Sequence, residues 1–233
     1  MSEPAFSIVL PVYNQADHIG AIVDGYARAL DAAAIDHELL LVPNGAQRDA
    51  TAAVCDELAR NYPAVRAVRE PRGGWGRAVK RGIAESHGTS ICYTNSARTT
   101  DRDLTLMLLY ARAFPDVVVK ANRKIRESLP RRIGSLLYNI ECRTLFDLSS
   151  WDVNGTPKIF PRAFAELLEL RSDDDLIDAE FNAVVRRCEY PMIEVPIFST
   201  RRHGGKSTTG YASALRMYAG AFRLYRTLRR AQR

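Results

Sequence analysis

The sequence predicts a single α/β domain in which helices flank a mixed, mostly parallel β-sheet. Three observations lead there. Short, uninterrupted apolar runs alternate with stretches of helical periodicity, the pattern of strand–helix–strand units wound on both faces of one sheet. The first runs end in polar loops, as strands do where they open onto a ligand crevice. The chain of 233 residues is long enough to bury one sizeable core, and 46% of it is hydrophobic.

The elements follow in order. Residues 6–12 (FSIVLPV) read as a buried strand and 16–34 as a helix. A second strand at 38–42 (ELLLV) is stopped by Pro43-Asn44-Gly45, a turn signal, before a helix at 49–62 and a short strand at 65–68. The Gly-rich loop 72–76 leads into a helix at 77–86, and 90–94 (SICYT) is the next strand. Right-handed crossovers bring the loops 11–15, 43–49 and 95–99 to one edge of such a sheet, where a ligand would bind. In the second half, a helix at 103–114 and a strand at 116–121 precede a basic loop, 122–132, carrying Arg123, Lys124, Arg126, Arg131 and Arg132. Further helices are expected at 133–146 and 175–188 and a strand at 192–196, with no element assigned to 151–160. A loop rich in Arg, Gly, Ser and Thr fills 198–211, and an amphipathic helix over 211–229 follows it.

Charge narrows the partners. The net charge is +6, and Arg216, Arg223, Arg226, Arg229, Arg230 and Arg233 meet no acid from residue 216 onward. Such an excess suits an anionic partner. Nucleic acid is not expected, because no zinc-finger spacing, RNP-type stretch or recognition helix is present. No apolar run reaches the roughly 18 residues of a membrane span. The basic amphipathic helix instead suits peripheral contact with an anionic membrane surface. Cys55, Cys92, Cys142 and Cys188 lie far apart, as reduced cysteines in a cytosolic protein do, and no signal peptide is recognised at the start. The expected location is therefore cytoplasmic, with contact at the inner face of a membrane. Oligomeric state is not legible.

Several segments in order resemble the family 2 glycosyltransferases of GT-A (Rossmann-like) fold: SIVLPVYNQADHI, ELLLVPNGAQRDAT and EPRGGWGRAVKRGIAESHG. WDVNGTPKIF, LIDAEFNAVVRRCEYPMIEVPI and RRHGGKST resemble the dolichyl-phosphate mannosyltransferase branch. The likeness implies a nucleotide-sugar donor and a lipid-phosphate or other small acceptor. It places Pro11, Tyr13, Gln15, Asn44, Gly76 and Arg77 against the donor, with Asn44 where an aspartate is expected. It matches Asp178 and Glu180 to an acidic pair on the acceptor side, and Arg201, Arg202 and Lys206 to a basic loop that grips phosphates. By this division 1–100 is a nucleotide-binding half, 101–210 an acceptor half, and 211–233 the basic C-terminal helix.

One motif departs. The strand matching SICYT ends in Asp-x-Asp in the family, and its carboxylates hold Mg or Mn against the diphosphate. Here Asn95-Ser96-Ala97 stands in that place. Asn95 still offers an oxygen but no charge, and Ala97 offers nothing, so no cofactor is expected with certainty. Cationic side chains can replace the metal electrostatically, and the candidates are Arg98 beside the motif, with Arg123, Arg131, Arg201, Arg202 and Lys206. Transfer to a hydroxyl needs a carboxylate base, for which Asp152, Asp178 and Glu180 are the candidates, whereas a phosphate acceptor needs no strong base. Asp103 reads as a helix cap. Trp75 reads as either a stacking lid or a packing anchor, with the flanking glycines favouring a mobile lid, and Trp151 is expected in the core. Two other readings stand beside transfer: an inactive GT-A domain that binds or scaffolds, and a nucleotidyltransferase.

Overall fold

Seven of the apolar and mixed runs become strands, and their burial accounts for their composition. β1 (Phe6–Val12) is buried at every residue and lies between β2 (His37–Pro43) and β4 (Ser90–Tyr93). β3 (Val65–Ala67) pairs outside β2, and all four strands are parallel. The crossovers are α1 (Ile19–Ala32), α2 (Thr51–Asn61) and α3 (Trp75–Ala84). Parallel strands covered on both faces have no solvent side, which is why β1 shows almost no polar alternation. The computed structural model describes residues 3–124, 129–198 and 211–230, with side chains for 3–124, 134–198 and 217–229.

The second half supplies α4 (Asp101–Ala113), β5 (Val118–Arg123), α5 (Leu129–Phe146), β6 (Lys158–Pro161), α6 (Ile177–Arg187), β7 (Met192–Ile197) and α7 (Tyr211–Arg230). One sheet results, in the order β3-β2-β1-β4-β6-β5-β7. Among the described strands only β6 runs against its neighbours, pairing Ile159 with Cys92 on one side and Val119 on the other. The other six strands share a direction, so their carboxyl ends share one edge. The mixed, mostly parallel sheet is as expected.

Period-two alternation sends side chains to two cores. Ile8, Leu10, Leu39 and Leu41 meet Val23 and Tyr26 of α1 and Leu104 and Leu108 of α4. Val9, Leu40, Val42 and Ile91 meet Val79 and Ile83 of α3 and Phe181 of α6. A third cluster, with Tyr138, Cys142, Val153, Ala179 and Ala221, joins α5, α6 and α7.

The structure departs from the sequence expectation in several places. β6 lies inside the unassigned 151–160 stretch. The expected loop 122–132 is shortened from both ends: Asn122 and Arg123 pair with Pro196 and Ile197 of β7, and α5 begins at Leu129. Pro130 falls in the first turn of α5, where a missing N–H costs nothing. α1 begins at Ile19 rather than 16, because the Gln15 carbonyl accepts the His18 and Ile19 N–H groups in a turn. Finally, Thr100 rather than Asp103 caps α4, its hydroxyl accepting the Asp103 N–H at 3.0 Å.

Candidate functional site

The loops after β1, β2 and β4 converge, as the topology requires. The Asn14 N–H donates to Gln47 Oε1 at 2.8 Å, and Asn14 Oδ1 accepts the Arg48 N–H at 2.8 Å. Asn14 has φ 49°, a left-handed conformation that asparagine tolerates better than most residues. The Gln15 N–H reaches Thr51 Oγ1 at 2.7 Å, while the Ser96 hydroxyl donates to Gln15 Oε1 at 2.8 Å. Pro11 ends inside this junction and Tyr13 stands half-exposed at its rim.

Asn44 is buried at the centre of that junction. Its Nδ2 donates to the Val12 carbonyl at 3.0 Å, and its Oδ1 accepts the Gly74 N–H at 3.3 Å. An aspartate would set a carboxylate against the Val12 oxygen, so the neutral amide suits this place. The side chain joins the end of β1 to the Gly-rich loop. That loop is fixed by close backbone contact: a Cβ on Gly76 would lie 2.3 Å from the Ser172 carbonyl oxygen. Arg77 donates to Asp173 Oδ2 at 2.8 Å and Lys80 to Asp173 Oδ1 at 2.6 Å. Trp75 begins α3 and packs edge-to-face on Tyr93 at 6.4 Å, the anchor of the two readings rather than the favoured lid.

The turn after β4 does not fit a divalent cation. Asn95 Oδ1 accepts the Ala97 N–H at 3.0 Å, and its carbonyl accepts the Arg98 and Thr99 N–H groups at 3.1 and 3.0 Å. The Ser96 hydroxyl is engaged by Gln15, and the Ala97 methyl is buried. Mg and Mn take hard oxygen ligands, carboxylates foremost. Asn95, Ser96 and Ala97 present no negative charge, and the one side-chain carbonyl among them already has a partner. Among the described residues no group of three His, Cys, Asp or Glu could hold a metal.

The acceptor-side candidates lie in a buried ionic network across β5 and β6. Arg123 donates to Asp152 three times: from N at 2.9 Å and Nε at 2.8 Å to Oδ2, and from Nη2 at 2.8 Å to Oδ1. Burial opposes the guanidinium charge, but the Asp152 carboxylate outweighs it and raises Arg123 above its ordinary value. Asp152 has φ 52° and its carbonyl accepts the Gly155 N–H at 2.7 Å. A Cβ on Gly155 would strike the Ala121 oxygen at 2.1 Å, so glycine is required there. Asp178 accepts from Lys158 Nζ and, at 3.0 Å, from the Tyr93 hydroxyl. Burial pulls the Lys158 ammonium down to about 8 against the pull of Asp178. Lys120 donates to Glu194 Oε1 at 2.5 Å and to the Trp151 carbonyl. Glu180, also buried, accepts the Arg171 and Ser172 N–H groups at 2.9 and 2.7 Å. It thereby braces the segment that carries Asp173, the partner of Arg77 and Lys80.

The donor candidates Pro11, Gln15, Asn44, Asn95, Ala97 and Arg98 thus come together, and Asp152, Asp178 and Arg123 form a second group beside β6. The side chain of Arg131, and Arg201, Arg202 and Lys206 entirely, lie outside the described residues. Sequence reasoning missed Lys158, Lys120, Tyr93 and Glu194. The available signal was a lysine inside an apolar run, KIF and VVVKA. Trp151, expected in the core, is 48% exposed, with the Arg143 guanidinium 3.9 Å above its ring. Asp147, Ser150, Asn182, Arg186 and Tyr190 line a separate cavity of about 490 Å³ beside the start of β7, away from the carboxyl edge.

Comparison with known proteins bears on this arrangement. The family model described as "Glycosyl transferase family 2" matches residues 7–166. An undecaprenyl-phosphate 4-deoxy-4-formamido-L-arabinose transferase of Pseudomonas fluorescens (strain Pf0-1) is 25% identical over 207 residues, covering 86% of this chain. The chain spans only 59% of that relative's length. Glucosyl-3-phosphoglycerate synthase from Mycobacterium tuberculosis, in complex with Mn2+, uridine diphosphate and phosphoglyceric acid, superposes with a TM-score of 0.71 at 17% identity. That match covers 95% of this chain and 77% of the other. The crystal structure of a further mycobacterial protein gives 0.68 at 18% identity, over 95% and 73% of the two chains. At these identities the likeness is one of fold, the GT-A type.

Proposed function

The chain belongs to glycosyl transferase family 2, and on that premise we propose that it moves one sugar from a nucleotide-diphospho-sugar to a polyprenyl phosphate, with no divalent cation at the diphosphate. One observation carries the reading. All three carboxylates placed to serve as a base are engaged: Asp152 by Arg123, Asp178 by Lys158 and Tyr93, and Glu180 by two backbone N–H groups. A hydroxyl acceptor needs a base to take its proton, whereas a phosphate monoester is already an anion. In the reaction the bond from the anomeric carbon to the diphosphate oxygen breaks and a bond to an acceptor phosphate oxygen forms. The nucleoside diphosphate leaves with its electron pair, so no proton need be removed from the acceptor.

Cations must then face two anions. Arg98 adjoins the turn that stands in place of the metal motif, and Arg123, whose Nε and Nη2 are taken by Asp152, carries its charge at the end of β5 on the proposed acceptor side. Guanidinium groups pair with phosphate oxygens in a fixed fork, which suits this work. The relative's name, an undecaprenyl-phosphate sugar transferase, supports the acceptor class. On this reading residues 1–100 bind the donor, 101–210 the acceptor, and 211–233 attach the protein to the membrane surface from the cytoplasmic side. The lack of a carboxylate in Asn95-Ser96-Ala97 also favours a second reading, a domain that binds a nucleotide-sugar without turning it over.

The test is a panel of nucleotide-sugars offered with a polyprenyl phosphate or with the matching polyprenol. Sugar transfer to the phosphate alone is expected. Transfer to the polyprenol instead would overturn the acceptor assignment, and nucleotide-sugar binding without product on either would establish the non-catalytic reading.

A further inference from the structure

Asp152 stands in a turn, residues 152–155, that belongs to neither helix nor strand. Its neighbour Val153 has no exposed surface, so both backbone groups of Val153 need protein partners. In a sheet the adjacent strand would supply them; here two asparagines do. Asn139 Oδ1 of α5 accepts the Val153 N–H at 2.7 Å, and Asn182 Nδ2 of α6 donates to the Val153 carbonyl at 3.1 Å. Both amides are buried, and their other bonds lock them in place. Asn139 Nδ2 donates to the Ser135 carbonyl at 2.7 Å. Asn182 Nδ2 also donates to the Asp178 carbonyl at 2.6 Å, and Asn182 Oδ1 accepts the Ser150 hydroxyl at 3.2 Å.

Asparagine is a poor residue for a helix interior, and a buried amide is costly unless its bonds are met. The two amides therefore answer a requirement of the turn rather than of their helices. That requirement is conformational. Asp152 has φ 52°, and from that left-handed angle its carboxylate accepts Arg123 N, Nε and Nη2. Residues held in this region persist where the surroundings over-determine them, and they gather at functional sites. The peptide linking Asp152 to Val153 is held at both polar atoms: its N–H by Asn139, and its carbonyl by the Gly155 N–H at 2.7 Å.

We propose that Asn139 and Asn182 are positioning residues: from α5 and α6 they clamp Val153, and so keep the Asp152 carboxylate where it orients the Arg123 guanidinium on the acceptor side. This deepens the polyprenyl-phosphate reading and rests on it for the use made of Arg123. A guanidinium meets phosphate oxygens by direction as well as by charge. A loosened clamp therefore weakens acceptor binding and leaves the loops of the donor edge untouched. Neither asparagine contacts substrate in this scheme; both act through Asp152.

The experiment reads the clamp and its use separately. With isotope-labelled arginine in the whole protein, solvent exchange of the Arg123 Nε–H is followed by NMR. The Arg162 Nε–H, which donates to the Gly88 carbonyl at 2.8 Å at the opposite edge of the sheet, is the internal control. Asn139→Ala and Asn182→Ala should each speed Arg123 exchange at least about tenfold and leave Arg162 as in the parent. Asn182→Ser, a milder change, serves where an alanine variant does not fold. Unchanged Arg123 exchange overturns the proposal. Equal acceleration at both arginines does so too, since the amides would then support only the fold. In the same variants the KM for a water-soluble short-chain polyprenyl phosphate should rise about tenfold, with the nucleotide Kd unchanged. Faster Arg123 exchange with an unaltered acceptor KM would overturn the role given to Arg123 rather than the clamp. No transfer by the parent would sink the polyprenyl-phosphate reading alone.

Discussion

At the scale of single residues, the environment of each carboxylate decides its chemistry. Asp178 is buried, and its two side-chain partners are a lysine with no exposed surface and a tyrosine hydroxyl. Burial keeps the Tyr93 phenol far above its ordinary value, so it remains a donor. A carboxylate in that position holds a buried cation and has no room to accept a proton from a substrate. Replacing Asp178 by Asn should therefore cost about 3–5 kcal/mol of stability, because Lys158 is left as an uncompensated buried charge. Urea unfolding measures this. A variant with unchanged stability but abolished transfer would instead mark Asp178 as the base. Asn44 makes the complementary point. The sequence resemblance implies an acid there, yet the amide of Asn44 donates to the Val12 carbonyl, a contact no carboxylate can make.

At the scale of elements, the proposed donor edge depends on how α3 meets the 171–174 segment. Gly74 has φ 144° and would carry a Cβ only 2.5 Å from the Asp173 oxygen; Gly76 is tighter still. Glu180, Asp173, Arg77 and Lys80 fasten the same contact from the other side. Gly76→Ala should push α3 from the segment and destabilise the protein by about 1–3 kcal/mol, the usual cost of overpacking. Thermal melting together with nucleotide affinity checks this; a variant unaltered in both would mean that the contact is slack. The elements also show what can be read from the chain alone. β1, β2 and β4 are legible because buried parallel strands are apolar end to end. β6 is not, since its four residues begin with Lys158, whose partner Asp178 stands 20 positions further on. A buried lysine becomes intelligible only once an opposing carboxylate is in place. The same holds for Asp152 and Arg123, which periodicity assigns to separate loops. By contrast, the convergence of 11–15, 43–49 and 95–99 needs only the handedness of the crossovers, and it is legible in full.

At the scale of the whole molecule, the proposed function gives the distribution of charge a meaning. On the proposed reading the donor edge carries no carboxylate at Asn44, Asn95 and Ala97, and the acceptor side is a paired network across β5 and β6; Arg223, Arg226 and Arg229 of α7 are exposed. Under the proposed function, a diphosphate leaving group at such an edge would meet cationic side chains in place of a bridging ion. The most direct test is transfer from the nucleotide-sugar to a polyprenyl phosphate in the presence of excess EDTA, with and without Mn2+ added back. The expected result is a rate unaffected by chelation and by the added ion. Loss of transfer on chelation, restored by Mn2+ or Mg2+, would contradict it.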